Sequence, residues 1–103
     1  MPELQVRTGS IALTGELQEL VDRRLAHLEK LHDRISLVRL SVTTESEHHA
    51  KGAPYDVMLE ADLPGTILVA NKNRDEHLRT ALAGAFDALE RQLHTHLEKQ
   101  RNH

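Results

Sequence analysis

The chain has no cysteine and no tryptophan, and it has only one tyrosine and one phenylalanine among its 103 residues. Without cysteine there is no disulfide and no thiolate chemistry, which suits a reducing compartment. With so few aromatic rings, aliphatic side chains must build the interior, and platforms on which nucleic-acid bases could stack are scarce. With no thiol and few aromatic rings, the chain must bind a partner mainly through charged, polar and aliphatic side chains.

Long apolar runs are missing as well. No segment approaches the roughly 18 consecutive apolar residues of a membrane span, and the N-terminus lacks the charged-then-apolar pattern of a signal peptide. We therefore expect a soluble cytoplasmic protein with no membrane partner. A chain of 103 residues fits one domain, spanning residues 1–103, that buries a core without metal or disulfide support.

The charge balance is slightly acidic. Thirteen Lys and Arg residues stand against 16 Asp and Glu residues, which gives a formal net charge of −3 at pH 7. This balance does not by itself indicate a nucleic-acid-binding protein. However, the chain contains eight histidines, and imidazoles gain positive charge as the pH falls through about 6.5.

The clearest periodic stretch runs from Asp75 to Lys99, where apolar residues recur every three or four positions. This spacing predicts a long amphipathic helix. Asn73, three residues before Glu76, is the expected N-cap. Such a helix is roughly 37 Å long and a seven-residue strand only about 23 Å, so its C-terminal end should project past a sheet. The apolar positions are Leu78, Leu82, Ala85, Phe86, Leu89, Leu93 and Leu97.

A second amphipathic helix is predicted from Gly15 to Leu31, with Thr14 as its N-cap. One side of this helix is apolar. The other side is basic and carries Arg23, Arg24, His27 and Lys30, with Arg34 just beyond its end.

Alternation of apolar and polar residues with a period of two predicts four strands. They lie at about residues 3–8, 37–43, 55–62 and 66–72. Pro64-Gly65 predicts a tight hairpin turn between the last two strands. The polar stretch at about 45–54 is expected to be a flexible loop, and residues from about 100 to 103 a flexible tail.

The order of these segments, β-α-β-β-β-α, predicts an α+β fold like that of a double-stranded-RNA-binding domain. Two helices would pack on one face of a four-stranded mixed sheet, because each helix has a single apolar stripe. The first two strands, joined by a helix, should be parallel and the remaining neighbours antiparallel. The uncovered face of the sheet should be solvated.

Several phrases in the sequence resemble the bacterial ribosome hibernation promoting factor and ribosome-associated inhibitor family. They are LAHLEKLHDRI at residues 25–35, the Pro-Gly hairpin, and DALERQL at residues 87–93. The resemblance covers essentially the whole chain and fits the short form of the family. It implies a protein that sits on the small ribosomal subunit, where mRNA and tRNAs bind, and silences translation under starvation or in stationary phase.

The resemblance also implies which residues bind. In this family the basic outer side of the two helices faces 16S ribosomal RNA. The matching residues are Arg23, Arg24, Lys30, Arg34, Arg91, Lys99 and Arg101. Family members usually carry lysine where this chain has Ala88, Thr95 and Leu97, and each lost phosphate contact weakens binding and its salt dependence. We therefore expect weaker or more pH-dependent RNA binding here.

A second function stays open. The acidic net charge also suits a divergent protein-interaction module that no longer binds ribosomal RNA. Such a module would pair through an exposed strand edge or the projecting end of the second helix, and could form a weak homodimer.

Metal binding and catalysis are not expected. His48-His49 and the pair His94 and His96 suggest metal ligands, but adjacent residues and residues two apart on a helix do not converge, and no cysteine or carboxylate cluster completes a shell. Asp87 and Glu90 have no Ser or His partner at usable spacing, and there is no Gly-rich phosphate loop. The sequence thus predicts no metal, no cofactor, no enzymatic activity and no small-molecule substrate.

Overall fold

The computed structural model of the chain describes residues 2–44 and 53–101. Within those residues the elements are β1 (Glu3–Arg7), α1 (Gly15–Leu31), β2 (Leu37–Thr44), β3 (Tyr55–Leu63), β4 (Thr66–Asp75) and α2 (Leu78–Arg101). The described strands form one four-stranded sheet in the order β1-β2-β3-β4. β1 is parallel to β2, whereas the β2–β3 and β3–β4 pairs are antiparallel. The predicted α+β order and strand directions are confirmed.

The core lies between one face of the sheet and the apolar stripes of both helices. Alternate residues of the central strands are buried, as in Val38 and Leu40 of β2 and Leu59 of β3. They pack with buried leucines of α1 and α2 in one cluster, in which Phe86 has no exposed surface. Burial of alternate strand residues leaves their neighbours on the uncovered face, as the period of two predicted.

α1 begins and ends at the predicted residues. The Thr14 hydroxyl accepts a hydrogen bond from the Leu17 amide at 3.4 Å, which satisfies one of the free amides of the first turn. Glu16 lies in the first turn and Lys30 in the last, where each complements the helix dipole.

α2 begins later than predicted. Asn73 was expected to cap this helix, but it lies in β4 opposite Val57 of β3, so that prediction was wrong. Pairing with β3 continues to the end of β4 at Asp75, because these residues gain backbone hydrogen bonds in the sheet. The Asp75 carboxylate then accepts a hydrogen bond from the His77 amide at 2.8 Å, and the helix starts at Leu78.

The remaining turns and ends follow the prediction in part. Gly65 has a φ of 79°, which L side chains rarely adopt, so glycine suits the predicted hairpin turn. α2 continues through Arg101, so the predicted tail is helical over its first two residues, and residues 102–103 lie outside the described part. Most of the predicted loop, residues 45–52, also lies outside it. Among the described residues, neither helix combines the length and apolar character needed to cross a membrane.

Candidate nucleic-acid interface

Both helices run in the same general direction along the molecule, which measures 50 Å on its longest axis. Thr14 and Leu78, at the two N-terminal ends, line one groove. Leu31 and Leu97, near the two C-terminal ends, line another. The negative ends of both helix dipoles therefore meet at one end of the molecule, where cations are favoured.

Two adjoining grooves occupy that end. The first, of about 400 Å³, lies between the end of α1, the turn that follows it, and α2; Lys30 and Arg34 line it. The second, of about 520 Å³, lies between β4 and α2; Arg91 and Lys99 line it. His96 lines both. We call the surface formed by Lys30, His32, Arg34, Arg91, His96 and Lys99 the helix-end surface.

Two histidines, one from each helix end, lie near each other in the first groove. The ring centroids of His32 and His96 are 6.4 Å apart, and the ring planes are tilted by 37°. The Arg34 amide donates a hydrogen bond to His32 Nδ1 at 3.0 Å, so the neutral ring carries its proton on Nε2. Asp33 is the one carboxylate among the groove-lining residues that the structure describes.

Arg24 takes no part in the helix-end surface. Its guanidinium lies between the two helices, 2.7 Å from Asp87 Oδ1 and 3.1 Å from Glu90 Oε2. It also lies over the Phe86 ring, 5.5 Å from the centroid, and only 20% of its side chain is exposed. Two carboxylates of α2 thus contact one guanidinium of α1, and Arg24 joins the two helices.

Arg24, Asp87 and Glu90 form, together with His27, what we call the interhelix cluster. Glu90 Oε1 is buried and lacks a hydrogen-bond partner within the described part of the chain, and His27 Nε2 lies 3.7 Å away. When His27 is neutral, the cluster of Arg24, His27, Asp87 and Glu90 carries one positive and two negative charges. The middle of the two-helix surface is therefore unfavourable for a phosphate, and the predicted basic helix face is interrupted there.

The structure thus distributes the seven predicted binding residues over three settings. Lys30, Arg34, Arg91 and Lys99 lie on the helix-end surface. Arg24 lies in the interhelix cluster. Arg23 is exposed on α1, and Arg101 is exposed at the last residue of α2; neither lines either groove.

Sequence reasoning missed His32 as part of this surface and missed the partners of Arg24. The second omission had a detectable signal. Arg24 stands four residues after Leu20 and three after Val21, which places it within the apolar stripe of α1. A charged residue in such a position needs partners on the facing helix, and Asp87 and Glu90 supply them.

The uncovered face of the sheet carries a separate network of one arginine and two carboxylates. Arg39 donates to both oxygens of Asp62, at 2.6 and 3.0 Å, and to Glu60 at 3.4 Å. The hydrogen bonds to Asp62, and then that to Glu60, raise the pKa of Arg39 above its ordinary value. Arginine stays charged at every physiological pH in any case, so this network does not titrate through its cation. It presents no surplus of positive charge to a nucleic acid.

No metal centre is formed by the residues that the structure describes, since no group of three or more possible ligands comes together among them. His94 is exposed on α2. His48 and His49 lie outside the described residues.

Residues 4–101 match the family model described as "Sigma 54 modulation protein / S30EA ribosomal protein". Proteins named "Ribosome hibernation promoting factor" from Escherichia coli strain K12 and from Shigella flexneri are each 29% identical to this chain over 101 residues, covering 98% of this chain and 99% of the relative. These descriptions name ribosomal and regulatory roles and no reaction, as the lack of a catalytic motif predicts.

Two solved structures share the fold. A ribosomal subunit interface protein from Coxiella burnetii superposes with a TM-score of 0.71 at 18% identity, covering 93% of this chain and 98% of that one. The N-terminal domain of Protein Y from Thermus thermophilus gives a TM-score of 0.66 at 22% identity, with 90% and 96% coverage. Because the family model spans nearly the whole chain, this protein belongs to the Sigma 54 modulation protein / S30EA ribosomal protein family.

Proposed function

We propose that this cytoplasmic protein binds the small ribosomal subunit in the channel for mRNA and tRNA and inhibits translation there, promoting ribosome hibernation under stress. The observation that carries the proposal is the helix-end surface, where four of the predicted RNA-binding side chains gather at one end of the helix pair. The name of the Escherichia coli relative, a ribosome hibernation promoting factor, supports the same function.

Binding would act through backbone phosphates of 16S ribosomal RNA. Contacts from Lys and Arg to phosphates fix the position of a protein on RNA without reading its sequence. The near-absence of aromatic side chains fits this mode, since sequence-specific recognition of RNA usually stacks unpaired bases on aromatic rings. A protein held in the channel by such contacts would exclude mRNA and tRNA by occupying their space, with no cofactor.

A simpler explanation accounts for only part of the surface. Cations in the last turn of a helix complement its dipole, and this is sufficient for Lys30 and Lys99. Arg34 lies in the turn after α1, and Arg91 lies more than two turns before the end of α2, beyond the reach of that effect. Arg34 lines the first groove and Arg91 lines the second, and these positions favour an anionic partner.

Sedimentation with purified small ribosomal subunits at increasing salt tests the proposal. We expect wild type to bind at low salt and the variant Lys30→Glu/Arg34→Glu to bind at least about tenfold more weakly, because two phosphate contacts become repulsive. The matched control is Arg7→Glu/Arg79→Glu, which makes the same charge change in the groove at the other end of the helices. It should bind nearly as wild type does.

Absence of association at low salt would contradict the proposal, and so would equal loss in the two double variants. A concentration-dependent dimer in analytical ultracentrifugation without ribosome binding would instead support the protein-interaction module. The position in the channel has its own test. Saturating mRNA and tRNA should displace the protein from the subunit, and undiminished binding in their presence would place it elsewhere.

A further inference from the structure

We propose that the open edge of the sheet, strand β1, pairs with β1 of a second copy of this chain. The two strands would run antiparallel about a two-fold axis at Gln5, and the two sheets would join into one continuous sheet. The contact shares no residue with the helix-end surface, so it goes beyond the proposed function and does not depend on it.

The free edge of β1 presents the backbone groups of Leu4 and Val6. The Glu3 amide donates to the Ser36 carbonyl, just before β2, at 3.2 Å, so the backbone of residue 3 faces β2. Because the direction of the amides alternates along a strand, Leu4 and Val6 direct their amide and carbonyl groups away from β2. Within the described part of the chain, β2 is the one strand with which β1 pairs. Such outward backbone groups are a template for another strand.

The opposite edge of the sheet is protected, whereas the edge at β1 is not. At that opposite edge, Gln92 of α2 donates to the Val69 carbonyl of β4 at 2.6 Å. Among the residues that the structure describes, no side chain forms a hydrogen bond with the backbone of Leu4 or Val6. A strand added to this sheet would therefore join it at β1.

The sequence of β1, Glu-Leu-Gln-Val-Arg, is complementary to itself in the antiparallel direction. Pairing centred on Gln5 sets Glu3 of each copy opposite Arg7 of the other. Leu4 then lies opposite Val6, and their outward backbone groups form the hydrogen-bonded pairs. Glu3 and Arg7 form the other kind of pair, in which the side chains lie closest. A register shifted by two residues would lose both Glu–Arg pairs, so charge selects one register.

The charges of Glu3 and Arg7 are available for this contact. Both side chains are exposed, and the residues opposite them in β2 are Leu37 and Ser41, which carry no charge. Neither forms an ion pair with another described residue. Opposite charges on directly opposed strand residues favour pairing, and like charges disfavour it. The two Glu–Arg pairs would therefore stabilise this arrangement.

Val6 supplies the apolar part of the contact. It lies beside Leu40 of β2 on the helix-covered face, but 46% of Val6 is exposed, whereas 1% of Leu40 is. Leu4 of the second copy would cover it from the opposed strand. A contact between two five-residue strands falls short of the roughly 1,000 Å² of a stable interface, so we expect a weak dimer.

Exchange of the two charges tests the register. Sedimentation equilibrium of the full chain at about 0.05–1 mM should show monomers in equilibrium with dimers. Glu3→Arg sets arginine against arginine, Arg7→Glu sets glutamate against glutamate, and each should weaken the dimer about 3- to 10-fold. The double variant Glu3→Arg/Arg7→Glu restores opposite charges and should recover most of the affinity. The control Arg79→Glu makes the same charge change on α2 and should dimerise as wild type does.

Two further measurements examine the same contact. An equimolar mixture of the two single variants should form a heterodimer that is tighter than either homodimer, because both cross-strand pairs are then opposite in charge. In NMR spectra over the same concentrations, the Leu4 and Val6 amides should shift and gain protection from hydrogen exchange, while the β4 amides stay unchanged. Thermal melting establishes that each variant is folded before association is compared.

A wild-type chain that stays monomeric up to about 1 mM would overturn the proposal and leave this edge to an extended segment of another protein. A dimer that neither single exchange weakens, or that the double exchange fails to restore, would overturn the β1 register. Concentration-dependent shifts confined to β4 or to the helices would contradict the contact at β1. These measurements need no ribosome, so failure of the proposed function would leave their outcome unchanged.

Discussion

At the scale of single residues, Arg24 and Lys30 carry the same charge on the same helix and meet different surroundings. Arg24 is held by Asp87 and Glu90 of α2 and covers Phe86. Lys30 is exposed at the rim of a groove that holds one carboxylate. A charged side chain that forms ion pairs within the protein contributes to its stability, whereas a cation without a carboxylate partner is available to a phosphate.

Replacing Arg24 with alanine should therefore act mainly on stability. It should clearly lower the free energy of unfolding and only slightly lower the affinity for the ribosome. Loss of two charge-assisted hydrogen bonds and of packing on Phe86 should cost about 1–2 kcal/mol of unfolding free energy, or several degrees in Tm. Urea and thermal unfolding measure this. The control Lys30→Ala should leave Tm nearly unchanged and weaken ribosome binding several-fold. The opposite pattern would show that Arg24 contacts RNA and that the interhelix cluster is not structural.

The same residues show what sequence could predict about the site. Helical spacing predicted that Lys30 points outward from α1, with Arg34 near its end, and the family resemblance grouped both with Lys99; the structure puts Lys30 and Arg34 in one groove and Lys99 in the adjoining one. They could not show that Arg24 is paired across the helices, because the facing residues are more than 60 positions away in the chain. His32 was missed because its place depends on how α2 packs beside the end of α1.

At the scale of elements, α2 does more than cover the sheet, since it also protects a strand edge. β4 is an edge strand, and edge strands expose backbone groups to pairing with other chains. Gln92 on α2 donates from Nε2 to the carbonyl of Val69 in β4 at 2.6 Å. A side chain from the helix thus satisfies a backbone group that the sheet leaves unpaired on that side.

Gln92→Ala should cost about 1 kcal/mol of unfolding free energy, because the Val69 carbonyl, partly shielded by α2, loses its partner. Chemical denaturation measures the loss. Gln100→Ala removes an exposed glutamine from the same helix and should have an effect within about 0.5 kcal/mol of zero. Equal effects of the two changes would contradict a stabilising role for the Gln92 bond.

The β3–β4 turn allows a test of backbone conformation alone. Gly65 has a φ of 79°, and a Cβ built there meets nothing within 4 Å, so any cost of a side chain is conformational. Gly65→Ala should lose about 1–2 kcal/mol of stability, whereas Gly65→Asn should lose less because asparagine tolerates this region better. Thermal unfolding of the pair gives the comparison. An alanine variant as stable as wild type would mean that the turn adopts another conformation.

The boundaries of elements were predicted unevenly, for a physical reason. α1 has a local start signal, the Thr14 side chain, and its predicted limits hold. The start of α2 depended on how far β4 continues along β3, which is a long-range pairing that a local capping pattern at Asn73 cannot reveal. Periodicity found every element in the described part of the chain, and only tertiary pairing decided where β4 gives way to α2.

At the scale of the whole molecule, charge is unevenly placed even though its sum is negative. The formal net charge is −3, yet the helix-end surface gathers four Lys and Arg side chains, while two carboxylates contact Arg24 between the helices and two contact Arg39 on the sheet. A local excess of one sign can attract a polyanion that the net charge would repel. Binding to the ribosome should therefore depend on orientation, with the helix ends facing RNA.

The orientation of the protein on the small subunit is directly measurable, because the chain has no cysteine and one introduced cysteine is its only thiol. A photo-cross-linker attached at Gln100→Cys, beside the first groove, is compared with the same group at Ser10→Cys, beside the groove at the other end. With small ribosomal subunits, we predict cross-links to 16S ribosomal RNA from position 100 and few or none from position 10. Cross-linking from position 10 alone, or equally from both, would contradict the account.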